Sequence, residues 1–120
     1  MTEKQKTIKQ SVSLSGTGLH TGQRGTLTFH PAEANHGIKF RRIDVEGKPI
    51  VEARVENVVD TSRGTTIAQN GVRVYTVEHI LASLRGAGVD NVLIDINCEE
   101  PHEPPDSEGA RALHRSVRPE

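Results

Sequence analysis

Two adjacent residues, Glu78 and His79, have side chains suited to metal-assisted hydrolysis. A neutral imidazole binds a divalent metal, and a neighbouring carboxylate can take a proton from the water that the metal activates. In a hydrolytic zinc site the two residue types therefore have separate tasks. A single Glu-His pair is not a complete metal site, and two ordinary polar residues on a capped surface helix would give the same pattern. Both interpretations stay open from this pair alone.

The segment that carries the pair is predicted to be an amphipathic helix. Its apolar residues lie at positions 77, 80, 81 and 84, which is the spacing of one helix face. Thr76 suits the N-cap, and Gly86 and Gly88 suit the C-terminal stop. On a helical wheel Glu78 lies at the edge of the apolar stripe and His79 lies nearly opposite it. One face can therefore join a core while the other leaves both polar side chains accessible.

The rest of the chain is predicted to be mainly β-structure. Alternating or β-branched segments bounded by turn residues indicate strands at positions 7–14, 26–30, 38–43, 50–59, 65–68, 72–75 and 91–96. Asn70-Gly71 predicts a tight hairpin between the fifth and sixth of these strands. Several strands, one helix and a last strand indicate an α+β fold, with the helix packed on one face of a mostly antiparallel sheet in a two-layer sandwich.

Composition excludes several classes of function. The 120 residues are the size of one domain, and the net charge of −1 comes from interspersed acids and bases. No basic surface for nucleic acid or membrane is indicated, and no apolar run is long enough to span a bilayer. The polar first eleven residues lack the apolar segment of a secretion signal, and Cys98 has no internal disulfide partner. We therefore expect a cytoplasmic location.

Six stretches between residues 4 and about 98 resemble the N-terminal half of UDP-3-O-acyl-N-acetylglucosamine deacetylase, the zinc enzyme of lipid A biosynthesis in Gram-negative bacteria. In chain order they are GTGLHTG at 16–22, HPA at 30–32, GIKFRR at 37–42, DT at 60–61, TVEH at 76–79 and DNVLID at 90–95. The resemblance implies the first of two similar two-layer domains. It also leaves open a dehydratase fused downstream, as some family members have.

The resemblance implies roles for individual residues. Glu78 would be the general base, and His79 would be one of three protein ligands to a zinc ion. The other two ligands and a general acid come from the second domain in the family, and no position of this chain matches them. The loop matching 60–65 borders the family's active site, so Thr61 and Ser62 are candidates for contact with substrate. His20 is a candidate for supporting a metal ligand through a hydrogen bond, a purely structural role being the alternative.

The sequence departs from the family after Asn97. We therefore predict an incomplete N-terminal deacetylase domain at 1–98 and a divergent, disordered tail at 99–120, which is polar and proline-rich without apolar periodicity. Residues 113–116 can be encoded so that a one-nucleotide shift reads Phe-Ile-Glu-Ala, and a frameshift is one origin for this tail.

The function that follows is that of the N-terminal part of a zinc-dependent deacetylase acting on the acetamide of UDP-3-O-acyl-N-acetylglucosamine. With one zinc ligand of its own, the chain is expected to be inactive until a C-terminal domain supplies the others. The nucleotide sugar and that missing domain are the expected partners. The alternative is a non-catalytic fragment, or an α+β binding module, that only associates with a partner domain.

Overall fold

The computed structural model describes residues 4–17, 22, 24–62, 64–101 and 117–119. In these residues one α-helix, α1 (Glu78–Gly86), and a single 3₁₀ turn (Val55–Asn57) accompany ten strands. The strands are β1 (Lys6–Ile8), β2 (Val12–Thr17), β3 (Arg24–Pro31), β4 (Ile38–Arg42), β5 (Ile50–Glu52), β6 (Val58–Asp60), β7 (Thr66–Gln69), β8 (Val72–Val74), β9 (Val92–Ile96) and β10 (Val117–Pro119).

The main sheet has five strands in the order β2-β3-β9-β4-β5. Every neighbouring pair is antiparallel except β4 and β9, which run parallel with Phe40 opposite Ile94. A parallel pair needs a long crossover, and the chain from β4 to β9 contains the second sheet, β6-β7-β8, and the helix. The central strand is therefore the last one of the main sheet to be added along the chain.

One face of the main sheet forms the core together with the helix. Alternate residues of the sheet point to this side, and the helix contributes its predicted apolar stripe. The fully buried members from the main sheet and the helix are Leu27, Phe29, Phe40, Val51, Val92, Ile94, Ile96, Val77, Ile80 and Leu84. This arrangement confirms the predicted α+β sandwich, in which the helix covers one face of a mostly antiparallel sheet.

The opposite face of the sheet is polar. Ser13 and Ser15 of β2 hydrogen-bond Thr28 and Thr26 of β3. In the middle of this face the side chain of Asp95 is only 12% exposed and lies between Arg41, which contacts it through two nitrogens, and His30 at 2.8 Å. A face with this many paired polar groups can meet water without an apolar patch.

Two predicted strands are each divided in the structure. The predicted strand 7–14 is wrong as one element, because β1 pairs with β10 whereas β2 pairs with β3. The predicted strand 50–59 breaks after Glu52, where the Asn57 amide donates a hydrogen bond to the Glu52 carbonyl at 2.8 Å. The chain then makes the 3₁₀ turn and enters the second sheet as β6. By contrast, the hairpin is confirmed, with Asn70 and Gly71 both at positive φ between β7 and β8.

Several of the family-like stretches hold the N-terminal strand to the rest of the domain. The Asn91 side chain accepts a hydrogen bond from the Gly37 N–H and donates one to Gln5, both at 2.8 Å. The Thr7 hydroxyl donates to the Asn91 carbonyl at 2.6 Å and accepts from the Ala32 N–H. The stretches at 30–32, 37–42 and 90–95 thus meet at one buried polar junction.

A close approach of backbone and side chain occurs at the end of β9. A Cβ on Gly25 would lie 2.5 Å from the Sγ of Cys98, so any larger residue there would require the Cys98 side chain to move. Cys98 is buried, and its thiol contacts the Glu100 carbonyl at 3.3 Å. Burial raises the pKa of this thiol.

The residues that follow β9 lie against the domain as far as the structure describes them. Glu100 and Pro101 are buried, and the Glu99 carbonyl accepts a hydrogen bond from the Tyr75 N–H. Residues 102–116, on which most of the predicted disordered tail falls, lie outside the described residues. The three residues of β10 pair with β1 and so differ from that expectation. The predicted domain boundary at 98 stays a prediction.

The contacts of Asp95 with Arg41 and His30 predict how the stability of the protein depends on pH. Burial alone would raise the pKa of Asp95, but its contacts with Arg41 and His30 outweigh burial and hold the pKa below 3.8. The stabilisation is therefore present above about pH 4 and is lost as pH falls through the folded pKa. Asp95→Asn should lower the free energy of unfolding by about 1–3 kcal/mol at pH 7, and the difference should shrink below pH 4. Urea denaturation at several pH values measures both.

The control for this experiment is Asp60→Asn. The pKa of the exposed Asp60 is also lowered, mainly by the Ser62 N–H, but solvent screens that contact. Its substitution should cost less stability than Asp95→Asn. An Asp95→Asn protein as stable as the parent at pH 7 would show that the charge of Asp95 contributes nothing to folding.

Candidate active site

The site begins at the turn between β8 and α1. Helix α1 starts at Glu78, and its N-cap position is Val77, whose backbone is already helical and which makes no side-chain cap bond. The prediction of Thr76 as N-cap is therefore wrong. Thr76 is buried with φ at +54°, and its hydroxyl donates instead to the Glu100 carboxylate at 2.6 Å. At the other end the helix finishes at Gly86, and Gly88 adopts positive φ, as the predicted stop requires.

Glu78 is half-buried and is held by the loop that follows β6. Its Oε2 atom accepts a hydrogen bond from the Thr65 N–H at 2.9 Å. The Thr65 carbonyl in turn accepts one from the Val77 N–H at 3.1 Å, so this one residue binds both the backbone and the carboxylate of the helix start. The Glu78 carboxylate is thereby fixed in orientation rather than left to rotate.

The backbone of Gly64 leaves room for this carboxylate. Gly64 has φ at +109°, and a Cβ on it would lie 2.9 Å from the Glu78 Oε1 atom. That distance is shorter than normal van der Waals contact, so any larger residue would need the carboxylate to move. The absence of a side chain at position 64 is thus part of the geometry of the site.

His79 lies on the exposed side of the helix. Adjacent helical residues point about 100° apart, so the imidazole and the Glu78 carboxylate diverge from neighbouring positions. Ala82, one turn further along the helix, is likewise exposed. The structure thus places both predicted residues where the sequence pattern puts them, with the histidine facing outwards.

Thr61 and Ser62 are exposed on the loop that reaches Glu78 through Gly64 and Thr65. Ser62 folds back onto Asp60, whose Oδ1 accepts hydrogen bonds from both the N–H and the hydroxyl of Ser62 at 2.8 Å. The Ser62 N–H, followed by its hydroxyl, lowers the pKa of Asp60 against a small opposing effect of burial. The structure thus brings the loop to the carboxylate. His20 lies outside the described residues.

The described parts of the chain contain no cluster of potential metal ligands. No group of three or more His, Cys, Asp or Glu side chains there is placed to hold an ion. The exposed imidazole of His79 has the chemistry of a single metal ligand, and Glu78 is its neighbour in sequence. The described residues therefore do not form a complete catalytic zinc site by themselves. No described helix is long and apolar enough to cross a membrane.

A separate cavity of about 320 Å³ lies near the other end of the helix, lined by Ile38, Ala53, Leu81, Arg85, Gly88, Val89 and Asp90. Neither Glu78 nor His79 borders it. The cavity lies beside the last turn of α1 and is therefore separate from Glu78 and His79 at the start of the helix.

Sequence reasoning did not single out three residues of the site, namely Gly64 and Thr65 within the loop at 60–65, and Glu100. Gly64 and Thr65 belong to a short polar loop whose contact with Glu78 depends on how β6, β7 and α1 pack. Glu100 lies in a polar segment after the last family-like stretch, and a buried acid there has no sequence signature. A weak signal exists only for Gly64, because a lone glycine in such a loop often marks a close approach.

Comparison with known proteins assigns the chain to a family that is named for a deacetylase. It belongs to the family of UDP-3-O-acyl N-acetylglycosamine deacetylases (LpxC), whose family model matches residues 5–112. That match extends beyond residue 98, where the sequence pattern alone suggests a departure.

Curated relatives share this similarity. The chain is 56% identical over 97 residues to the bifunctional enzyme LpxC/FabZ of Bacteroides thetaiotaomicron, a match covering 81% of this chain and 21% of the relative. It is 50% identical over 96 residues to UDP-3-O-acyl-N-acetylglucosamine deacetylase of Geotalea uraniireducens, covering 80% and 31%. For the enzyme of the same name from Methylococcus capsulatus the identity is 44% over 97 residues, covering 81% and 32%. The chain thus spans between a fifth and a third of these relatives.

A side chain at position 64 should displace the Glu78 carboxylate, and the same substitution at Gly71 is a matched control. Gly64→Ala and Gly71→Ala both place a side chain at positive φ, which costs about 1–2 kcal/mol, but a Cβ on Gly71 meets nothing within 4 Å. Only Gly64→Ala should push Glu78 away from the Thr65 N–H. Hydrogen exchange of the Thr65 amide should therefore accelerate in Gly64→Ala and stay unchanged in Gly71→Ala. Equal exchange in the two variants would mean that the carboxylate does not depend on Gly64.

Proposed function

We propose that this chain is the N-terminal part of a zinc-dependent deacetylase that hydrolyses the acetamide of UDP-3-O-acyl-N-acetylglucosamine in lipid A biosynthesis, in the cytoplasm. The observation that carries the proposal is the Glu78 carboxylate, oriented by the Thr65 N–H beside an exposed His79 in a chain of this family. The names of the relatives support the choice of substrate.

Glu78 is the general base in this proposal. Its Oε2 is occupied by the Thr65 N–H, so Oε1, next to Gly64, is the oxygen left to take a proton from the attacking water. A base held within hydrogen-bond reach of its proton contributes more than a freely rotating one, because orientation is fixed before the reaction. The loop at 60–65 would also bring Thr61 and Ser62 to the edge of the substrate.

His79 is one ligand of the zinc ion in this proposal. When bound, zinc polarises the carbonyl of the acetamide and makes the water acidic enough to lose its proton near neutral pH. Catalytic zinc usually has three protein ligands. We therefore propose that the remaining ligands come from a second domain, within the additional length that the relatives have, and that this chain alone does not turn over substrate.

The first prediction from this proposal concerns Glu78→Gln in a full-length version, in which residues 1–101 are followed by the remaining part of the Bacteroides thetaiotaomicron relative. Loss of the base should lower kcat by about 10²–10⁴-fold. Bound zinc should be unchanged, because Gln keeps the shape of the side chain and His79 is intact. Acetate release and metal analysis of the same samples measure the two effects. A near-normal kcat would remove Glu78 from the mechanism.

His79→Ala in the same full-length version should give a different result. Removing a ligand should lower the zinc content after a chelator challenge, and activity should fall in proportion to the lost metal. Added zinc should restore part of the activity, which it cannot do for Glu78→Gln. Unchanged zinc content would reject His79 as a ligand and would favour a non-catalytic, partner-binding role for this surface.

A further inference from the structure

The turn that leads into α1 contains a threonine in an unfavourable backbone conformation. Thr76 has φ at +54° and is 6% exposed. β-branched residues rarely adopt left-handed angles, because the branched side chain crowds the backbone. Such a conformation persists only where the surrounding structure imposes it. The contacts of Thr76 therefore show what holds the turn.

Glu100 holds this turn from one side. Its Oε2 accepts the hydrogen bond of the Thr76 hydroxyl at 2.6 Å. The preceding residue is bound by the same segment, because the Tyr75 N–H donates to the Glu99 carbonyl at 2.8 Å. Glu100 is only 1% exposed, and a glutamate this deeply buried is rare unless it has a partner. This buried acid is not explained by packing alone.

Thr65 holds the turn from the other side through Val77 and Glu78. Thr76 thus lies between two anchors, and its side chain is itself next to Gly64. A change of its φ to the ordinary helical value would rotate the following backbone by roughly 110° about one bond. Either the apolar contacts of α1 or the position of the Glu78 carboxylate would then have to change.

We propose that Glu100 is a positioning residue for Glu78 and His79. By accepting the Thr76 hydrogen bond it keeps the turn left-handed, and this turn directs the first two side chains of α1. The inference rests on the proposed function for its effect on turnover, while its structural part stands on the contacts of Thr76 alone.

The first test compares variants of the full-length version described above. Glu100→Ala should lower kcat on the order of 10- to 100-fold, with a smaller change in KM, because the base is displaced while substrate contacts elsewhere remain. Thr76→Val, which keeps the shape but removes the hydroxyl, should give a similar loss. Glu100→Gln keeps an oxygen that can accept the bond and should retain most of the activity. The matched control, Asp95→Asn, alters a buried acid on the opposite sheet face and should leave kcat unchanged.

A rescue experiment separates positioning from general stability. Glycine adopts positive φ without steric cost, so Thr76→Gly added to Glu100→Ala should recover most of the lost kcat. A crystal structure of each variant should show φ of residue 76 leaving the left-handed region in Glu100→Ala and returning to it in the double variant. The φ angle of residue 76 can also be measured in crystals of the 120-residue chain, because this measurement does not depend on enzymatic activity.

The outcomes are distinguishable. Wild-type kcat in Glu100→Ala with Thr76 still near +54° would overturn the inference, and so would a loss that Thr76→Gly does not rescue. If Glu100→Ala does not fold, the single variants Thr76→Val and Thr76→Gly test the role of Glu100. A low kcat in Thr76→Val together with a near-normal kcat in Thr76→Gly supports the role. The reverse result rejects it. Absence of deacetylase activity in the unmodified full-length version would instead reject the proposed function, and φ of residue 76 would still test the role of Glu100.

Discussion

The register of β9 between β3 and β4 is the constraint on which the rest of the structure depends. Ile94 and Ile96 point into the core, while Asp95 points to the ion pair on the opposite face. A shift of one residue would exchange the two sets and bury a carboxylate among apolar side chains. Hydrogen bonds fix both ends of the strand, since Asn91 accepts from the Gly37 N–H and Asn97 from the Thr26 N–H. This strand therefore admits one alignment.

The alignment of β9 also determines the position of the residues that contact the candidate site. The chain leaves β9 directly into Glu99 and Glu100, which bind the turn at Tyr75 and Thr76. From the other sheet, Thr65 precedes β7 and binds the start of α1. The orientation of Glu78 thus depends on two separate sheets meeting at one turn. A rigid scaffold of this kind suits the role proposed for Glu78, because a general base must act in one orientation.

The sequence was sufficient for features with a local physical cause. The apolar spacing at 77–84 predicted the helix and its buried face, and Asn70-Gly71 predicted the hairpin, because each pattern depends only on nearby residues. Glu78 and His79 could be singled out by residue type and by the TVEH stretch. The role of Thr76 could not be predicted, because a threonine before a helix ordinarily suits an N-cap. Its hydroxyl is taken by an acid 24 residues away, and no local pattern records that contact.

The same limit explains the two divided strands. Alternation of apolar residues shows that a segment can be a strand, but not which partner it pairs with. β1 and β2 are close in sequence and belong to different sheets, as do β5 and β6. Pairing with strands distant in sequence determines where these two segments break. At the second break, the side-chain amide of Asn57 donates a hydrogen bond to the Glu52 carbonyl.

The contact between Gly25 and Cys98 gives the protein a built-in chemical reporter. The thiol fills the space above a glycine on β3, so reagents in solvent meet almost none of its surface. Its raised pKa keeps it in the less reactive thiol form. Alkylation should therefore be slow in the folded protein, and its rate should rise when this end of the sheet opens. Because Glu100 follows two residues later, the same opening would release the turn that carries Glu78.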